Sequence, residues 1–143
     1  MKYVVLVSHG EFANGLKDAL SMLAGKRDDV LSAGLQNGKS ADEFALYFNQ
    51  VIECVSNEDE VILLGDLIGG SPLTTAMNVL TGKGLMDKTV VLGGMNLPLA
   101  LTTVLMKDTF DNDVLVEQVL QEAHSALKEF KIILYCYLIS SVT

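Results

Sequence analysis

The chain has 143 residues, 50% of them hydrophobic, with ten basic against eighteen acidic side chains and a formal charge of −8. That length suits one domain around one core, and the negative charge repels phosphate backbones and anionic lipid, which excludes nucleic acid and a membrane surface as partners and favours a protein bearing a basic patch. No apolar run reaches the roughly eighteen residues that cross a bilayer, and the opening MKYVVLVS is too short for a secretory leader, so a cytoplasmic location is expected.

In chain order, KYVVLVS (2–8) reads as a strand, and Phe12, Leu16, Leu20 and Leu23 then recur at helical spacing. DVLSAGL (29–35) is a second strand. A second helix opens with SADE, where Ser40 can cap and Glu43 can complete a capping box, and carries the stripe Phe44, Phe48, Val51, Val55. After the solvated turn NEDE (57–60), EVILLGD (60–66) is the third strand, and SPLTTAMNVLTGKG follows as a helix with Ser71 at the N-cap and Pro72 at its first position. KTVVLGG (88–94) is the fourth strand, Asn96 and Pro98 begin the next helix in NLPLALTTVLMK, and a long helix from Asp113 to Phe130 is striped by Val116, Leu120, Ala123, Leu127 and Phe130. The methionines Met22, Met77, Met86, Met95 and Met106 are expected as core filler, Met22 and Met95 near the rim of any crevice. Cys54 and Cys136 have no metal-ligand spacing and read as small buried hydrophobes, so neither a disulfide nor a metal is expected.

Continuous apolar strands alternating with helices imply parallel pairing through right-handed crossovers. The expected fold is therefore α/β: an open, doubly wound, mainly parallel sheet of strand order 2-1-3-4 with helices on both faces. Ligands of such sheets sit beyond the carboxyl ends of the strands where the order reverses. His9 follows the first strand and Asp66 closes the third, so this order brings them side by side. A neutral imidazole attacks through the nitrogen that lacks the proton, and a carboxylate bonded to the other nitrogen fixes the tautomer and stabilises the positive charge that develops. The backbone of Gly69 and Gly70, the hydroxyl of Ser71 and the start of the following helix offer a cradle for an anion. Nucleophile, orienting carboxylate and anion site together are the parts for carrying a phosphoryl group. No G-x-x-x-x-G-K-[S/T] loop is present, so the group has to arrive already activated, on another protein, with no cofactor bound.

VSHG, GDLIGGSP and GGMNLPLAL, in that order, resemble the enzyme IIA component of the mannose-family sugar phosphotransferase system over residues 1–130. The resemblance implies a relay in which the phosphocarrier protein HPr phosphorylates His9, Asp66 bonds the ring, and Gly69, Gly70 and Ser71 hold the phosphate before it passes to a IIB partner and on to a sugar entering through a IIC/IID permease, the only indirect link to a membrane. It also implies a homodimer, with a strand near the carboxyl end exchanged between subunits. Ile68 stands where the family often has an aromatic residue. The β-rich tail 131–143 is then an antiparallel edge or exchanged strand, or else an end that departs from the family.

Each piece alone has a plainer reading: His9 and Asp66 as turn residues, GGSP as an ordinary helix start, and His124 as a solvated side chain among Glu122, Ser125 and Lys128. Two further functions compete. One is the phosphoryl-donor subunit of a dihydroxyacetone kinase, which shares this domain and against which GDLIGGSP weighs. The other is a non-catalytic, flavodoxin-like module holding a small ligand at the GGSP turn, disfavoured because Trp is absent and no aromatic side chain stands beside the glycines. A receiver domain is weaker still, since the end of the first strand lacks an acidic cluster for magnesium.

Overall fold

The computed structural model describes residues 1–132. Four parallel strands, β1 (Lys2–His9), β2 (Val30–Leu35), β3 (Glu60–Gly65) and β4 (Thr89–Leu92), lie in the order β2-β1-β3-β4. They alternate with α1 (Phe12–Ala24), α2 (Ala41–Val51), α3 (Ser71–Gly82), α4 (Leu97–Met106) and α5 (Asn112–Ala126), with one 3₁₀ turn at Met86–Lys88. The expected fold class and strand order are observed. An antiparallel edge strand within the tail falls on residues 133–143, outside the described residues, as does Cys136.

The continuous apolar strands divide their side chains between two layers, because successive residues of a strand point to opposite faces. Val4, Leu6, Ile62 and Leu64 meet Leu16, Leu20, Leu99, Val104, Leu115 and Val119 of α1, α4 and α5. Tyr3, Val5, Val7, Val61 and Leu63 meet Phe44, Phe48, Leu73, Ala76 and Leu80 of α2 and α3. Both faces are covered, so β1 and β3 need no polar side.

The helix starts follow from their caps. Ser40 Oγ accepts from the Glu43 amide at 3.1 Å and the Glu43 carboxylate accepts from the Ser40 amide at 3.2 Å, the expected capping box. Asn96 caps α4 by accepting from the Leu99 amide at 2.8 Å.

Several boundaries differ from the sequence pattern. The cap of α3 is Gly70, in extended backbone, so Ser71 is the first helical residue and not the cap, and Pro72 the second. β4 stops at Leu92 because Gly93 and Gly94 turn the chain, Gly94 at φ +70° where a side chain is strained. α2 ends at Val51, leaving Ile52 and Val55 buried in the following turn. α5 ends at Ala126, and Leu127 and Phe130 are exposed: the stripe continues in sequence, but beyond Ala123 the core offers it nothing to pack on, and packing sustains a helix more than periodicity does. Met22 is exposed towards the far end of α1 and so is neither core nor crevice rim, whereas Met95 is buried. Cys54 is exposed, because in the turn after α2 it is Ile52 and Val55 that point inward.

Candidate functional site

β1 lies between β2 and β3, so the chain leaves it in one direction and returns on its other side; the reversal falls between β1 and β3. Val7 pairs with Gly65, which puts His9 and Asp66 just past the paired ends of these strands. One oxygen of Asp66, Oδ2, accepts from the His9 amide at 2.8 Å and stands 2.8 Å from ring Nδ1. The other, Oδ1, accepts from the Leu67 amide at 2.8 Å. The carboxylate thus ties the ends of two strands together and the ring to both. Asp66 is 13% exposed and the His9 side chain 48%, so the orienting group is sheltered while the ring faces solvent.

Burial alone would raise the Asp66 carboxyl. The His9 amide, the His9 ring and the Leu67 amide together outweigh that and hold it below the usual carboxylate range. With Nδ1 engaged by a carboxylate, the proton of a neutral ring belongs on Nδ1 and the free lone pair on Nε2.

The phosphate-cradle residues of the sequence reading also gather here. Gly70 packs on the ring so closely that a Cβ would lie 3.1 Å from His9 Cε1. Gly69 has φ +80°, a turn that a side chain would strain, and it delivers the chain into α3. Thr74 donates to the Gly70 carbonyl at 3.1 Å; the first turn therefore leaves the Ser71 and Leu73 amides free of intrahelical acceptors, while Pro72 has no amide hydrogen. Ser71 is exposed, with its hydroxyl at the same helix end. Two amides, a hydroxyl and the positive end of the α3 dipole next to a fixed imidazole are suited to an oxyanion. Among the described residues, no three His, Cys, Asp or Glu side chains gather as metal ligands. His124 is exposed on α5, far along the chain from this crevice.

Sequence reasoning missed two supports. Ser8 is fully buried, and its Oγ accepts from the Ala13 amide at 2.7 Å, closing the turn that carries His9 onto the start of α1. The signal was a hydroxyl five residues ahead of an early helical amide. Glu11 accepts from Gln36 at 2.7 Å and Asn14 at 3.0 Å, and these amides hold its carboxyl below the usual range and tie it towards β2. That contact joins segments too distant in sequence for a pattern to reveal.

The sequence model of the PTS system fructose IIA component family, of the mannose-type EIIA class, matches residues 3–120. The chain belongs to that family. As an EIIA component, it has a phosphotransfer role in the sugar phosphotransferase system, where such components are phosphoryl carriers. The PTS system fructose-specific EIIA component of Bacillus subtilis (strain 168) is 25% identical over 105 residues, 73% of this chain and 70% of that protein. The solved PTS IIA protein associated with the fucose utilization operon of Streptococcus pneumoniae is 30% identical, with a TM-score of 0.76 over 90% of this chain and 92% of that one. Component EIIA from Streptococcus agalactiae is 26% identical, with a TM-score of 0.77 over 91% and 98% of the two chains. No helix of this EIIA chain, among the described residues, is long and apolar enough to cross a membrane.

Proposed function

We propose that the protein accepts a phosphoryl group on Nε2 of His9 from phosphorylated HPr and passes it to a IIB component for sugar uptake. The observation that carries this reading is the 2.8 Å contact between His9 Nδ1 and Asp66, which leaves Nε2 free beside the amide-rich start of α3. The Nε2 lone pair attacks phosphorus as the phosphorus–nitrogen bond of the donor's phosphohistidine breaks, and the leaving imidazole takes the bonding pair. Asp66 meets the positive charge on the His9 ring, and Gly69, Gly70 and Ser71 with the first amides of α3 meet the phosphoryl oxygens. The reverse geometry serves the second transfer, to IIB. Neither step requires a metal or a bound nucleotide. Phe12, Leu67 and Ile68 are exposed apolar side chains close in sequence to His9 and Asp66, consistent with a protein donor that covers the crevice.

The same reading takes residues 1–130 as the carrier domain, acting in the cytoplasm as a homodimer, with the tail 131–143 as an edge or exchanged strand. β4 supports the tail assignment: it is an edge strand of four residues, with no partner on its outer side among the described strands. The test is incubation with phosphoenolpyruvate, enzyme I and HPr. One acid-labile phosphoryl group per chain is expected, absent from His9→Ala and transferred onward to a IIB protein. Label that survives His9→Ala sinks the assignment, and label that moves only to a dihydroxyacetone kinase subunit replaces the sugar-transport branch.

A further inference from the structure

The motif GGMNLPLAL supplies no side chain to the chemistry proposed for His9, yet it packs against the loop that does. The Met95 amide donates to the Gly65 carbonyl at 3.0 Å, fixing the residue just before Asp66. Three residues on from Gly65, the Ile68 side chain fills the space that a Cβ on Gly93 would need: such a Cβ would lie 2.1 Å from Ile68 Cγ1 and 2.9 Å from Cδ1. Gly93 does not have a positive φ, so its backbone suits alanine and only the space excludes it. Gly94, at φ +70°, is the glycine of the pair that the turn conformation requires.

Ile68 is 83% exposed, so seating it on Gly93 buries little apolar surface and contributes little to folding. What the contact does fix is position. Ile68 lies between Asp66, which holds the His9 ring, and Gly70, which packs on it. We propose that Gly93 and Ile68 form a latch between the β4–α4 turn and the Asp66–Gly70 loop, making Gly93 a positioning residue for phosphoryl transfer at His9. This rests on the proposed function. If the overlap is relieved through the backbone of Ile68 and not by a turn of its exposed side chain, the loop that carries both the carboxylate and the first amides of α3 tilts, and misplacement by an ångström can cost up to about a hundredfold in rate.

Gly93→Ala is expected to unfold within a few degrees of the wild type and to accept phosphoryl from HPr at least about tenfold more slowly. Ile68→Ala supplies the control, because the Ile68 Cβ lies 3.4 Å from the position of the added methyl, an ordinary contact. The double variant Gly93→Ala/Ile68→Ala is therefore expected to recover to within about threefold of Ile68→Ala alone. A Gly93→Ala protein with an unaltered rate, or a double variant as slow as Gly93→Ala, overturns the latch. The second readout needs no phosphoryl donor: the ring resonances of His9, with His124 as the only other histidine, should shift in Gly93→Ala and return in the double variant relative to Ile68→Ala. Unshifted resonances overturn the latch as well. Failure of the wild type to be labelled by HPr would instead remove the proposed function and leave the resonances to decide the latch.

Discussion

Three donors converge on the two oxygens of Asp66: the His9 amide, the His9 ring and the Leu67 amide. A carboxylate accepts all three. An asparagine cannot, since whichever oxygen it keeps, its NH₂ group faces another N–H. Asp66→Asn should therefore fold yet load His9 on the order of a hundredfold more slowly, losing both the ring's orientation and the countercharge. Rapid-quench measurement of transfer from phosphorylated HPr checks this, and an unchanged rate would dismiss the pairing as a bystander. The His9 and Asp66 pair was legible in the sequence because both residues end apolar strands, and an assumed strand order is enough to join them. Ser71 was placed one position out. Its hydroxyl suits an N-cap, but Gly70 takes the extended cap conformation against the His9 ring, a preference set by packing that propensity does not register.

Among the elements, α2 shows how much a local rule can deliver. Ser40 and Glu43 satisfy each other's backbone amides, so the helix start was readable from four letters. Ser40→Ala should lower global stability by about 1 kcal/mol without affecting phosphoryl transfer, as read from urea unfolding alongside the labelling assay. Transfer that slowed would mean α2 communicates with the site. The end of α5 shows the reverse. Leu127 and Phe130 keep the helical spacing, but the chain leaves the helix at Ala126 because the layer made by Leu115, Val119 and Ala123 has ended. Close backbone approaches were equally hidden. A Cβ on Gly34 would sit 1.9 Å from the Gly10 carbonyl oxygen, where the ends of β1 and β2 meet, and nothing in the local sequence distinguishes that glycine from a flexible one.

At the scale of the molecule, the end of the sheet opposite His9 is closed by charge. Lys107, 1% exposed, donates to Asp29 at 2.8 Å and to Asp108 at 3.0 Å, while the Arg27 guanidinium forks onto both oxygens of Asp29 at 3.0 Å each. Arg27 foremost, against the opposing effect of burial and with help from Lys107, lowers the Asp29 carboxyl from 3.8 to about 2. Because the folded value is the depressed one, the stability it contributes, about 2 kcal/mol, is present above pH ~4 and lost as the pH falls towards 2. Asp66, also depressed, adds acid sensitivity of the same sign. Asp29→Asn should cost about 3 kcal/mol at neutral pH, leaving Lys107 to the exposed Asp108, and should flatten the stability curve between pH 4 and 2 in denaturant titrations. A variant as stable and as acid-sensitive as the wild type would mean that the network contributes nothing. The α/β alternation and strand order were legible from hydrophobic runs. This network was not, because its members come from the residues just before β2 and just after α4, which only the folded sheet brings together.

The imidazole that would carry the group stands roughly half in water. Loading and unloading would then need no door to open, and the proposed cargo would ride on the outside of the fold, unguarded between visits. On the proposed relay, giver and taker would both need access to this one ring, so they would call in turn and never together. A relay built this way obeys substituted-carrier kinetics, in which an excess of either visitor blocks the other.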